Sequence, residues 1–229
     1  MLPVRRATGK GPSGRHMLVP AGASSIPQCV AAYIRKDAPY RAAKRAGLRS
    51  RAAPKLDELD KRYKLFRKGM RVLDLGCWPG GWLQIASRAV GPSGRVVGVD
   101  LEPVSDLAIE NVRVLLGDVL VAETRTALAE ALGGPADVVL SDLAPNLSGV
   151  KVADRERHLE LMEMAVDLAD EFLSDGGALV IKLFSGVESE ATALLKRRIG
   201  KVAKSRPDST RKGSSEIYAV AYKRSGNDG

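Results

Sequence analysis

Two residues stand where proton-transfer chemistry is expected. Asp142 closes the apolar run Ala136 to Asp142, and Lys182 lies inside Val180-Ile181-Lys182-Leu183-Phe184. A lysine within an apolar run loses hydration, a cost that needs either a partner or a task to offset it. Burial disfavours the charged form of a lysine and a nearby carboxylate restores it. An amine on one strand beside an acid on the next is therefore suited to general-base work near neutral pH. The simpler reading is a lysine whose stem is buried and whose ammonium reaches water at a strand end.

A second constellation lies upstream. The run Arg71 to Gly76 leads into Asp74-Leu75-Gly76-Cys77-Trp78-Pro79-Gly80-Gly81-Trp82. Glycines at a strand-to-helix turn let the backbone approach a ligand and expose helix N–H groups. Asp100 ends the next apolar run, 24 residues after Gly76, where an acid would accept the hydroxyls of a ribose. Asp118 ends the one after that, within reach of an adenine amino group. Each acid alone reads equally as a turn former. A dinucleotide site would put phosphate at the turn, yet Asp74 precedes it and no Arg or Lys lies within it. That charge suits a ligand with a cationic amino-acid portion, and S-adenosylmethionine fits better than NAD. Asp74, Gly76, Pro79, Gly80, Gly81, Trp82, Asp100, Asp118 and Asp142 are the candidate cofactor contacts.

Charge is segregated along the 229 residues. Residues 1–72 carry 18 Lys/Arg against 4 Asp/Glu, residues 73–195 carry 8 against 20, and residues 196–224 carry 10 against 2. Two basic ends around an acidic centre point to a polyanion, and nucleic acid is the partner expected; solvated helix faces are the bland alternative. Aromatics are 4% of the chain, so phosphate contact rather than base stacking should dominate. No apolar run approaches the roughly 18–20 residues of a membrane span. Cys29 and Cys77 with His16 and His158 are too few for a disulfide framework or a metal cluster, so no metal is expected. A reducing compartment follows, the cytoplasm. The acid-free, Arg-bearing start allows a mitochondrial transit peptide and hence the matrix as the alternative.

Positioning these residues requires an ordered set of elements. Residues 1–30, rich in Gly, Pro, Ser and Arg, read as a flexible basic arm. Helices are expected at 31–47 and 52–64. Strands are expected at 71–76, 95–100, 111–118, 136–142, 178–184, 201–206 and 216–222. Helices at 81–90, 121–132, 155–173 and 188–199 separate them, the long one stopped by Asp175-Gly176-Gly177. Runs apolar on both faces and alternating with helices indicate a doubly wound α/β fold with a parallel sheet covered on both sides. Of Met162 and Met164, one is expected in the core and one at the surface, and His158 is read as structural.

The segments Ser50-Arg51-Ala52-Ala53-Pro54-Lys55-Leu56, DLGCWPGGW, SDLAPNLSG (141–149), IKLF (181–184) and SSEIYAVA (214–221) resemble the FtsJ/RrmJ-type ribose 2′-O-methyltransferases. The likeness runs in order from about residue 31 to 224. It implies a Rossmann-like S-adenosylmethionine-dependent methyltransferase, a mostly parallel seven-stranded sheet with helices on both faces and a last strand inserted antiparallel. It implies a domain over 31–224 whose 31–69 part helps bind RNA, with 225–229 a tail. It implies a catalytic tetrad of Lys55, Asp142, Lys182 and Glu216, with Lys182 as base towards a ribose hydroxyl. Arg41, Lys44, Arg45, Arg49 and Arg51, with Lys196, Arg197, Arg198, Arg211 and Lys212, would then line a groove holding RNA. Gly81 in PGGW points to large-subunit ribosomal RNA, free or in the large ribosomal subunit, with a uridine as target and a monomeric enzyme. A transfer-RNA methyltransferase, a ribosome-assembly factor on the same scaffold and an NAD-dependent oxidoreductase are the alternatives. Pro54, where the family has an aromatic residue, and Cys77-Trp78, where it has small ones, are departures.

Overall fold

The computed structural model describes residues 17–18, 47–105, 107–145, 148–184, 186–210 and 216–226. Its strands are β1 (Met17–Leu18), β2 (Arg71–Leu75), β3 (Arg95–Asp100), β4 (Val112–Leu116), β5 (Ala136–Ser141), β6 (Leu173–Leu183), β7 (Gly200–Ser205) and β8 (Ile217–Lys223). The helices are α1 (Ala53–Tyr63), α2 (Gly81–Val90), α3 (Ala122–Leu132), α4 (Lys151–Phe172) and α5 (Glu188–Arg198).

They form one sheet in the order β1-β4-β3-β2-β5-β6-β8-β7. All neighbours are parallel except β8, which runs antiparallel between β6 and β7. The seven expected strands are all present. Residues 17–18, expected within a structureless arm, instead add a two-residue parallel pairing to β4, whose outer edge offers unpaired backbone groups.

Strand residues alternate between two cores. Leu73, Leu75, Val97, Val99, Val139, Leu179 and Ile181 pack with α3, α4 and α5. Val72, Val96, Val138, Leu140, Val180, Tyr218 and Val220 pack with α1 and α2 on the other face. Period-2 alternation with apolar residues on both sides is what a sheet covered twice requires. Strand order reverses at β2: the next strand in sequence lies on one side and β5 on the other. That switch point, beyond the carboxyl ends of the strands, is where such sheets bind ligands.

At the opposite edge, four helix C-termini are capped by cations. Lys68 donates to Arg88 O of α2, Arg95 to Ala131 O of α3, and Lys223 to Asp170 O and Leu173 O at the end of α4. Arg224 donates to Lys196 O and Arg197 O of α5. Unpaired carbonyls and the negative end of the helix dipole both favour this placement, so part of the basic excess is structural.

Most boundaries shift by one or two residues and two by more, while the helix expected at 31–47 lies, up to residue 46, outside the described residues. Helix α4 begins at Lys151 rather than 155, because the Asp154 carboxylate accepts N–H bonds from Ser148 and Gly149 and folds the preceding loop onto the helix. Strand β6 starts at Leu173, and residues 174–177 bulge between the pairings Ala136–Leu173 and Val138–Ala178. The described helices include none long and apolar enough to cross a membrane.

Candidate active site

A cavity of about 330 Å³ opens at the switch point. Its floor is built by strand ends. Asp74 and Gly76 come from β2, Asp100 from β3, Asp118 from the turn after β4, Asp142 from the end of β5 and Lys182 from β6. Pro79, Gly81 and Trp82 line it from the turn into α2. Gly80 stands apart from the other candidate contacts. It is the N-cap of α2 at φ 100°, a left-handed conformation that suits glycine, and its part in the turn is conformational.

Lys182 and Asp142 meet. Lys182 Nζ lies 2.9 Å from Asp142 Oδ1 and donates to the Asp142 carbonyl at 2.5 Å. Asp142 Oδ1 also accepts the Tyr218 hydroxyl at 2.9 Å. The same hydroxyl accepts from Lys55 Nζ at 3.5 Å, and Lys55 pairs with Glu216 at 2.6 Å. The four residues named by the resemblance thus form one chain of contacts, Glu216–Lys55–Tyr218–Asp142–Lys182. Both lysine side chains are almost wholly buried, 9% exposed for Lys55 and 7% for Lys182.

Tyr218 was not anticipated. It is fully buried, is the direct cross-strand partner of Lys182, and stacks at 5.9 Å on Trp82. Burial, reinforced by the charges of Asp142 and Glu216, pushes its hydroxyl well above the usual tyrosine range, so it stays protonated and donates. The available signal was period 2: Glu216 and Tyr218 in EIYAVAY point to the same face.

Pro54 does not disturb Lys55. It sits in the first turn of α1, where its fixed φ is compatible with the helix and no N–H bond is lost, and Lys55 follows on the inner face. Trp78 lines the cavity, and its backbone N–H holds Asp100 Oδ2 at 2.8 Å while Glu102 N–H holds Oδ1 at 2.9 Å. Asp118 is fixed likewise by Leu120 N–H. Gly81 permits a close approach: a Cβ there would lie 2.1 Å from Ser50 Oγ. The segment 49–52 therefore rests directly on α2, and Trp82 Nε1 donates to Ala52 O.

Asp74 is 1% exposed, and its Oδ2 has no hydrogen-bond partner. Burial first, then the nearby Asp142 and Asp100 charges, push its carboxyl well above the usual carboxylate range. An orphaned buried oxygen among three acids repels phosphate and fits a cationic amino group, so the residues present fit S-adenosylmethionine. Met162 is buried, whereas Met164, expected in one of two positions, half-buried lines the cavity.

The basic residues divide. Arg49 and Arg51 line the cavity, and Arg49 donates to Ser105 O and Oγ. Arg41, Lys44, Arg45, Arg211 and Lys212 lie outside the described residues. Lys196, Arg197 and Arg198 are not beside the pocket. Helix α5 returns from the site end of β6, so its last turn sits at the far edge, leading into Gly200 opposite Lys223. Strand β7 then runs six residues, about 17 Å, before Ser205 meets Tyr218. Arg198 is there engaged by Asp167 and Asp170.

The FtsJ-like methyltransferase family matches residues 48–224. Among curated relatives, ribosomal RNA large subunit methyltransferase E of Acidiphilium cryptum is 48% identical over 79% of both chains. Its namesake from Methanothermobacter thermautotrophicus is 43% identical over 81% of this chain and 89% of that one. A solved ribosomal RNA methyltransferase from Plasmodium falciparum superposes with TM-score 0.67 at 28% identity, covering 78% of this chain and all of that one. Aeropyrum pernix fibrillarin, solved with natively bound S-adenosyl-L-methionine, shares the fold at TM-score 0.52 and 22% identity, over 68% and 67% of the two chains.

Proposed function

Because the chain belongs to the FtsJ-like methyltransferase family, we propose that it methylates the 2′-hydroxyl of a ribose, a uridine's, in large-subunit ribosomal RNA, with Lys182 as general base. The observation that carries this reading is the pairing of a buried lysine amine with Asp142 at the wall of a cavity whose acids fit the cofactor. The large-subunit substrate is supported by the names of the relatives.

S-adenosylmethionine, when bound, supplies a methyl carbon activated by a sulfonium. Asp74 would hold its amino group, Asp100 its ribose hydroxyls and Asp118 the adenine amino group. Asp100 and Asp118 are already fixed by backbone N–H bonds, so little ordering is left for binding.

An unprotonated Lys182 has two hydrogens, and its two contacts, the carbonyl and Oδ1 of Asp142, accept both. The nitrogen lone pair is then free for an incoming hydroxyl. As the ribose oxygen takes the methyl group from sulfur, leaving S-adenosylhomocysteine, the hydroxyl proton would pass to Lys182, and the Asp142 carboxylate would stabilise the ammonium that forms. Tyr218 donates to the same carboxylate oxygen and fixes it, and Lys55 with Glu216 completes the charge network beside the ribose. Burial of both lysines keeps water from competing, and holding two reactants in line supplies much of the rate.

Residues 31–224 are assigned to the methyltransferase domain, with 31–69 contributing to RNA binding, 1–30 as a basic arm and 225–229 as a tail. The family match over 48–224 supports the core of this division. A monomer is supported by a tetrad and a cavity that come from one chain, and a cytoplasmic reaction by relatives named for ribosomal RNA.

The test is methyl transfer from labelled S-adenosylmethionine to large ribosomal subunits isolated without the modification, followed by mapping of alkali-resistant 2′-O-methyl linkages. One new linkage at a uridine of the large-subunit RNA is expected. Methylation of transfer RNA alone would overturn the substrate, and no transfer to any RNA would overturn the activity.

A further inference from the structure

His158 is a half-buried titratable group that this mechanism leaves without a task. It stands on α4 with its ring against Phe184, centroids 3.9 Å apart and planes inclined at 37°. Phe184 in turn lies under Lys182, 5.4 Å from Nζ to the ring centroid. Burial, joined by the charge of Lys182, holds the imidazole below its usual range against the opposing pull of the Asp154 backbone and carboxylate. It is therefore neutral near pH 7, with one N–H donor and one acceptor nitrogen.

The acceptor is identified by what is satisfied. The backbone of Asp154, one turn earlier, takes a hydrogen bond from the ring. Nε2 is buried and has no partner. His158, Lys182 and Ser141 also line a second, small cavity of about 20 Å³, whose other walls, Phe184 among them, are apolar. That is room for a single water, and the lining offers the polar partners such a water needs.

The first turnover leaves Lys182 with an extra proton that has no ready exit while the ribose fills the cavity. Its side chain is 7% exposed, its amine faces Asp142, and the ribose would cover the rest. We propose that His158 Nε2 is the proton outlet of the site, receiving through one water in the small cavity the proton that Lys182 takes from the ribose; this rests on Lys182 being the base. As the ribose oxygen bonds to the methyl carbon, the methyl–sulfur bond breaks and S-adenosylhomocysteine is left, while the ribose O–H proton becomes an N–H of Lys182. Lys182 gives a proton to the water, and the water gives one of its own to Nε2. The amine is restored, and the half-buried imidazolium, disfavoured by its surroundings, releases its proton to solvent.

The experiment compares wild type, His158→Gln, His158→Ala and Lys182→Ala on unmodified large ribosomal subunits, each variant first shown to bind S-adenosylhomocysteine. Glutamine keeps a hydrogen bond to the water and cannot take up a proton near pH 7. His158→Gln should transfer one methyl per enzyme at the wild-type rate and then turn over about tenfold or more slowly. Added imidazole should restore the steady rate of His158→Ala in proportion to its neutral fraction. A structural role would slow the first and later turnovers alike and give no pH-dependent rescue, and that result overturns the proposal. Wild-type steady turnover in His158→Gln also overturns it, provided Lys182→Ala is inactive. An active Lys182→Ala removes the base and the outlet together.

Discussion

Lys182 Nζ lies 2.9 Å from Oδ1 of Asp142 and 2.5 Å from that residue's own carbonyl oxygen. A carbonyl and a carboxylate from one residue thus both face the amine, which leaves its orientation little freedom. The two come from neighbouring parallel strands, in register from Val138 with Ala178 to Ser141 with Ile181. The next residue on each strand is the reacting pair.

Tyr218 extends this pair. Replacing it with phenylalanine removes the hydrogen bond to Asp142 and the oxygen near Lys55 while keeping the ring stacked on Trp82. Steady-state kinetics should show kcat reduced about tenfold with KM for S-adenosylmethionine little changed. The stability loss should be about 1–2 kcal/mol, that of one buried hydrogen bond. Unchanged kcat would assign Tyr218 to packing alone.

Asp74 should trade stability for binding. Its carboxyl keeps its proton in the folded protein to higher pH than in the unfolded chain. Stability from this group is present below the ordinary value of 3.8 and is lost as pH rises towards the folded value. Asp74→Asn should therefore melt above wild type at pH 7 and close to it near pH 4. The same variant should bind S-adenosylhomocysteine about tenfold or more weakly, having lost the partner for its amino group. A melting temperature lowered at pH 7 would contradict the account.

Gly81 is the contact point between α2 and the segment leading to Lys55. A Cβ there meets Ser50 Oγ at 2.1 Å and Ser50 Cβ at 2.9 Å. Gly81→Ala should cost about 1–3 kcal/mol in denaturant unfolding. Combining it with Ser50→Gly should recover most of that loss, and simple additivity of the two would exclude the contact as the cause.

Two arginines should behave oppositely. Arg198 is a surface residue engaged by Asp167 and Asp170 at the far edge, so Arg198→Ala should leave RNA affinity unchanged and the melting temperature nearly so. Arg51 lines the cavity. Arg51→Ala should weaken RNA binding and lower the slope of log affinity against log salt by about one. Equal effects of both would mean that RNA wraps around the molecule.

Much of the site is legible before folding because its residues are local exceptions. An acid at the end of an apolar run and a lysine inside one are costly, and that cost marked Asp142 and Lys182. Tyr218 is no exception inside EIYAVAY, and only the antiparallel register that sets it opposite Lys182 gives it a role. Lys55 and Glu216 are separated by 161 residues and meet only through the insertion of β8 beside β6; the family likeness, not local pattern, identified them. Lys196 to Arg198 were drawn towards the site by charge alone. A helix that follows a parallel strand returns to the starting edge, so its last turn lies away from the strand tips. The glycines at 176 and 177 read as a stop but are absorbed in the bulge at the start of β6, because a pairing across a register shift has no local sequence signal.

The central claim is tested most directly by methyl transfer in Lys182→Ala, measured beside S-adenosylhomocysteine binding by the same protein. The account predicts no detectable 2′-O-methylation, with cofactor binding within about twofold of wild type. Methyl transfer at a rate near wild type would contradict it.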